Sequence, residues 1–502
     1  MAAGDSGDAN LNASARFLAY HEPNIVDILT LISFFFFLSI SGWIAGKTVH
    51  ADLIGHIVLG LVYGVPLGNI LGVDWQETFL ALGYIGLILI IFKGGLTIRL
   101  DLLRQNFVLS IGAALLGVLT PIALSFALLY AGFGHGAMET FVVGTALSTT
   151  SLGTTFVVIK GASAEVDFSQ TRVGTVLVSA AVLDDVCGLV LVSVIHELRT
   201  IAEEGGNLGW IIGRPLLASG LLALVTPLVA KLALAPLFRR FAEVHFARHG
   251  DIANIILMVL VLSPYLAIAA YAGASVLFGA FLAGTVISSL PTKPVDDALV
   301  GAAADDQGSG MLSFLATFDK YVGDTQKYIL QPLFFASIGF AIPFLDMWTG
   351  EMIWKGVLFS TLMTCGKLVV GLAIPAYDIF VRITTSPSSG ELQSRRSVLA
   401  QGWAPATLLG TAMVPRGEIG LLIIQIGLNE TPFLSQKAFI IGVWAIILNT
   451  IIGPVAVGFL LKRIGNKIAG DPIWGIKSKA PRGSTRGSIT ETSLQTIPPS
   501  LR

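Results

Sequence analysis

The chain has 502 residues, of which 54% are hydrophobic and only 13% charged, and 55 are glycine. Soluble domains carry roughly 25% charged residues, so this composition excludes a water-soluble globular protein and predicts an all-α polytopic membrane protein embedded in a lipid bilayer. A net charge of −1 gives no polyanion-binding signature and argues against nucleic acid as a partner. Cys187 and Cys365 form neither a disulfide framework nor a metal-ligand spacing, and nothing in the sequence calls for a cofactor.

Residues 1–23 are polar, lack the basic start of a signal peptide, and are expected to form an external tail. A bilayer core needs about 20 apolar residues per helix, and windows of that length predict thirteen spans. They fall near 24–46, 52–71, 77–95, 106–133, 137–160, 171–196, 209–238, 252–270, 273–290, 328–345, 352–380, 398–427 and 434–461. The stretch 291–327 reads as a long acidic loop, and 464–502 as a disordered Ser/Thr-rich tail with interspersed Arg. Of the 31 Lys and Arg, 23 fall on one set of connecting segments, 5 on the other and 3 inside spans. The positive-inside rule then puts the C-terminus in the cytoplasm and the N-terminus outside. The sequons at Asn12 and Asn429 both fall on the outer side. Plasma and internal membranes are not distinguished.

Six spans, a linker helix over 209–240 and six more spans make the two halves, 24–196 and 250–463, run in opposite senses. This is the arithmetic of inverted repeats, in which interrupted helices at corresponding positions mark the site. The fifth span carries "TALSTTSLGTT", whose hydroxyls can satisfy backbone groups freed by unwinding. The twelfth, seven spans on, contains Pro405, Gly410, Pro415, Gly417 and Gly420. Both are expected to break at midspan; ordinary Ser/Thr packing and a proline kink are the alternative.

Asp184 and its neighbour Asp185 sit in "AAVLDDVCGLV", and Asp184 lies 13 residues from one end of the sixth span and 12 from the other, about 18–20 Å deep. An ionised Asp at that depth costs roughly 2.5–3.5 kcal/mol on insertion scales, so the pair demands compensation or a function. A carboxylate that binds either a proton or a desolvated small cation, but not both, forces exchange by competition. Lys367 sits too deep in the eleventh span to snorkel and needs an anion inside the bundle, for which Asp184 and Asp185 are the candidates. Arg416 and Glu418 in "VPRGEIG" are two apart, do not face each other on a helix, and either line the ion path or pin the broken span. His245 and His249, beside Glu243 on a basic inner loop, either tune activity with pH or are solvated loop residues.

The order of these features, a hydroxyl-rich fifth span, "LDD" in the sixth, "GK" in the eleventh and "PRGE" in the twelfth, resembles the monovalent cation:proton antiporter superfamily. Within it, the two-Asp form and Lys367 match the electrogenic bacterial-type sodium/proton exchanger branch. The resemblance covers about 25–463 and is supported by "GHIVLGLVYGVPLG", "GLILIIFKGGLTIRLDLL" and "QPLFFASIGFAI". It implies a homodimer in which helices over 24–95 and 252–345 form a fixed dimer domain. Core helices over 106–196 and 352–463 would carry the ion by an elevator-like movement past crossing broken helices. By that likeness Asp185 is the principal carrier of sodium or lithium and of the proton. Asp184 helps hold the ion and pairs with Lys367, and Thr149, Thr150 and Ser151 sit at the helix crossing. Two protons per cation is the implied stoichiometry, with potassium/proton exchange, electroneutral in one form, as the alternative.

Other classes fit less well. An intramembrane aspartyl protease shares a proton between facing helices, whereas these aspartates are neighbours about 100° apart on one helix. The protein is therefore not expected to be an enzyme. A channel of the same fold would reveal itself by currents faster than any carrier's turnover.

Overall fold

The computed structural model describes residues 20, 22–98, 106–151, 168, 171–204, 208–291, 313–385, 392–471 and 474–475, with the side chains of 200–208, 242–249 and 381–401 outside that description. Arg99, Arg104, Lys160, Asn12, the tail beyond 475 and the side chains of Glu243, His245 and His249 therefore lie outside the described residues. No β-strand occurs among the described residues.

Among the described residues, the first six helices are α1 (Ile25–Thr48), α2 (Asp52–Tyr63), α3 (Val73–Thr97), α4 (Phe107–Ser125, prolonged by a π-helical turn at Phe126–Tyr130), α5 (Ala137–Ser148) and α6 (Arg172–Glu204). Next come α7 (Leu208–Val229), α8 (Glu243–Ala272, kinked at Gly250, where φ is 62°) and α9 (Val276–Ser289). Helix α10 runs from Phe314–Phe318 through π-helical turns at Asp319–Gly323 and Gln326–Leu330 into Gln331–Phe340. Helix α11 is Gly350–Leu368, continued by Val369–Leu372 and Ala373–Thr385. The twelfth is two pieces, α12a (Leu392–Ala412) and α12b (Glu418–Glu430), and α13 is Gln436–Ala469. Among the described residues, eight helices are long and apolar enough to cross a membrane, and α2, α5 and α9 are shorter apolar helices.

Element ends differ from the sequence expectation where local chemistry intervenes. Helix α2 stops at Tyr63, not near 71. The turn that follows is closed by the N–H groups of Gly68, Asn69 and Leu71 on the carbonyls of Val62, Gly64 and Tyr63, with Asn69 at φ 44°. Helix α10 begins at Phe314, inside the stretch expected as loop, because the Ser313 hydroxyl accepts from the Ala316 N–H as an N-cap. Helices α6 and α13 overrun their expected ends, reaching Glu204 and Ala469.

Two layers of packing set the site. In one, α2 crosses α10 and α3 crosses α9 at glycines, as small residues allow in lipid. A Cβ on Gly60 would lie 2.1 Å from the Ala336 carbonyl oxygen and one on Gly339 2.3 Å from that of Ile57. At the other crossing, a Cβ on Gly95 would meet the Phe281 oxygen at 2.2 Å and one on Gly284 the Phe92 oxygen at 2.2 Å. Helix α1 leans on α2 and α8 on α9. In the other layer α6 packs on α4, α11 on α13, and α12b between α5 and α6.

The chain after α13 returns to this second layer. Trp474 is buried, donates its indole N–H to Asp378 Oδ2 of α11 at 3.4 Å, and lies 4.7 Å below the Arg172 guanidinium. The carbonyls of Gly475 and Trp474 accept from the N–H groups of Arg172 and Val173 at 3.2 and 3.3 Å. These donors open α6 and would otherwise lack partners.

Candidate ion-carrier site

Helix α5 ends at Ser148, and Thr149 is extended at φ −71°, ψ 147°. Helix α12a ends at Ala412, and the chain stays non-helical through Gly417, whose extended φ −141°, ψ −155° precedes α12b. The two breaks meet. Ser151 N–H donates to the Pro415 carbonyl at 2.9 Å, Thr150 Oγ1 to the Met413 carbonyl at 3.3 Å, and Arg416 Nη1 to the Thr149 carbonyl at 3.1 Å. The Arg416 carbonyl in turn accepts from Thr450 Oγ1 of α13 at 3.0 Å. Each break thus satisfies polar groups the other exposes, the condition for non-helical backbone at membrane depth.

The crossing is tight enough that small residues are obligatory. A Cβ on Gly417 would fall 2.6 Å from Ser151 Cβ, and one on Gly453 would fall 2.4 and 2.5 Å from Cγ and Cδ of Pro415. Gly453→Ala is expected to push the 413–417 segment out of place and lower the yield of monodisperse protein on size exclusion. A Gly453→Ala variant as stable as the parent would mean the segment yields easily.

Asp184 and Asp185 project on different sides of α6. Asp184 and Lys367 are both fully buried and paired, Nζ donating to Oδ2 at 3.1 Å. The same ammonium donates to Thr150 Oγ1 at 2.8 Å, so the lysine joins the carboxylate to the crossing. Asp184 Oδ1 is buried and has no hydrogen-bond partner among the described residues. Asp185 is half-buried and lines a cavity of about 870 Å³ together with Ser151, Ser179 and Glu418. The cavity is also lined by His50, Asp52, Lys93, Asp319, Asp324 and Lys327.

Arg416 and Glu418 separate in the same way. Arg416 is fully buried and closes the C-terminal end of α5 through Thr149, where a positive charge is favoured. Glu418, at the first residue of α12b, faces the cavity. Thr149 itself turns its hydroxyl to the Ala146 carbonyl at 3.1 Å.

The sequence pointed to these residues but not to all of their neighbours. Asn449 of α13 is fully buried and accepts from Ser360 Oγ at 3.0 Å and Thr364 Oγ1 at 2.7 Å, two turns and one turn of α11 before Lys367. A lone amide in the apolar run "IILNTII" was the available signal. Glu139, at the start of α5, accepts from the Ser435 N–H at 3.0 Å, from the Ser435 hydroxyl and from the Gly136 N–H at 3.1 Å, and pairs with His135 at 3.1 Å. Its acidic first-turn position hinted only at a helix start.

A sealed ion pair behind a carboxylate on a cavity, set at crossing interrupted helices, is the build of a membrane ion carrier. The family model described as "Sodium/hydrogen exchanger, transmembrane" matches residues 28–463, and the chain belongs to that family, whose members are transporters rather than enzymes. It is 25% identical over 421 residues to the "Na(+)/H(+) antiporter" of Enterococcus hirae, covering 84% of this chain and 92% of that one. It is 24% identical over 424 residues to the "Na(+)/H(+)-K(+) antiporter GerN" of Bacillus cereus, covering 83% and 91%. Among solved structures, the sodium proton antiporter MjNhaP1 of Methanocaldococcus jannaschii shares the fold with a TM-score of 0.55 at 18% identity, over 88% of this chain and 98% of that one.

Proposed function

We propose that this protein is an electrogenic antiporter exchanging sodium or lithium for two protons across a membrane. The observation that carries the reading is the division of labour between neighbouring aspartates: Asp185 opens onto the cavity while Asp184 is sealed against Lys367. A cation arriving through the cavity competes with the proton on Asp185. If Asp184 also turns to the ion, it leaves Lys367, and a second proton is displaced from that pair. Two charges then move against one, which makes the cycle sensitive to membrane potential. Thr149, Thr150 and Ser151 supply oxygens or hold the breaks in register, Arg416 pins the crossing, and Glu418 flanks the path.

Alternating access is assigned to movement of the layer holding α4–α6 and α11–α13 against the layer holding α1–α3 and α8–α10. The inverted-repeat arrangement of thirteen spans is supported by packing. Shifting each helix by seven exchanges the α2–α10 crossing with the α9–α3 crossing, and each crossing carries a reciprocal glycine pair. The charge asymmetry supports a cytoplasmic C-terminus and external N-terminus, and the family likeness supports a homodimer.

A second reading, exchange of potassium, is favoured by the potassium named in the GerN relative. Protein in liposomes with an imposed pH gradient and an internal pH dye tests both. Dequenching by sodium or lithium that changes when the potential is clamped is the expected result. A response to potassium alone, or one indifferent to potential, would move the protein to the second reading.

A further inference from the structure

Gly117 stands on α4 at the point where that helix meets the ion pair. A Cβ built there would lie 3.3 Å from Lys367 Nζ, 3.4 Å from Asp184 Oδ1 and 3.5 Å from the terminal methyl of Met413. The approach to Nζ is tighter than an ordinary side-chain contact, so glycine keeps this flank of the pair free of a side chain that would press on the charged atoms. Asp184 Oδ1 is the carboxylate oxygen that Lys367 does not engage, and it has no partner among the described residues. Pro121, four residues on in the same helix, has no N–H to give the Gly117 carbonyl, so that acceptor is not consumed by the usual i→i−4 bond.

We infer that Gly117 is a positioning residue for the Asp184–Lys367 pair: the absent side chain leaves the space in which the pair opens. The inference rests on the proposed exchange cycle, in which Asp184 must leave Lys367 when a cation binds. While closed, the two charges neutralise each other and need little else. Once apart in a dry interior, each must be solvated by something adjacent, or the open state becomes too costly to populate. The flank at Gly117 adjoins both Nζ and Oδ1 and carries no side chain to exclude a solvating group. A methyl there requires the Lys367 ammonium to yield by a few tenths of an ångström in the closed pair and takes the flank away from the open one.

The test is Gly117→Ala in full-length protein. The expected result is a roughly tenfold rise in the KM for sodium in liposomes, equivalent to about 1.4 kcal/mol, with maximal rate within about twofold of the parent. Gly117→Ser, whose hydroxyl restores a polar group beside both charges, is expected to recover most of the loss. Gly112→Ala, on the same helix where a Cβ meets nothing within 4 Å, serves as control. A binding readout, the sodium concentration that half-maximally raises the melting temperature, is taken in parallel. In the charge-balanced background Asp184→Asn/Lys367→Ala, Gly117→Ala is expected to shift that midpoint by less than about twofold, because the pair it acts through is gone. An equal shift in both backgrounds, a Gly117→Ala protein with unchanged KM, or one that fails to fold, would each overturn the assignment. A parent protein that moves no sodium against protons would instead sink the exchange reading itself.

Discussion

Asp185→Asn is expected to reduce cation/proton exchange to background while the protein still folds and elutes as the parent does. The amide matches the carboxylate in shape, so packing against the cavity wall is preserved. It can neither hold a negative charge for a desolvated cation nor carry a proton between the two sides. The residue is half-buried on the cavity with Ser151 and Glu418 beside it, and no salt bridge of the fold depends on it among the described residues. Dye-reported flux in liposomes and size exclusion together decide the matter. Undiminished exchange would transfer the carrier role to Glu418 or Asp184.

Lys367→Ala should be the most damaging single change to stability in the site. It leaves Asp184 fully buried with its cation removed, and breaking a buried pair from one side costs about 3–5 kcal/mol. Thr150 also loses the donor to its hydroxyl oxygen. Removing both charges together, as Asp184→Asn/Lys367→Ala, eliminates the stranded carboxylate and should restore most of the melting temperature. Melting of purified protein in detergent distinguishes the cases. A double variant as unstable as the single one would show that the lysine acts through packing and not through charge.

Several parts of this site were legible from residue types alone. A run of hydroxyls in the fifth span and two prolines among glycines in the twelfth predicted breaks, and the chain is non-helical at Thr149 and from 413 to 417. Depth along the spans matched Lys367 to the aspartates, because a buried cation too far from either interface must find its anion inside. Depth could not choose between two neighbouring aspartates, since side-chain direction depends on how α6 is rotated against α4 and α11. Nor could spacing divide Arg416 from Glu418, because non-helical backbone at 413–417 puts the first inside the crossing and leaves the second on the cavity. Gly117 was invisible for a different reason: among 55 glycines, only the three-dimensional approach of α4 to the ion pair singles it out. The early end of α2 reflects a Gly/Pro-rich turn inside an apolar window, where hydropathy reads composition and not conformation.

Trp474 joins the chain's final described residues to the start of α6 and to Asp378 of α11, the helices that hold Asp184 and Lys367. Residue 475 is therefore moored to the layer that holds Asp184 and Lys367 and not to the glycine-crossed one. A fluorophore placed there, paired with a second dye on the loop between α2 and α3, would serve as an optical ruler for motion between the layers, read in real time without touching a charged residue of the site.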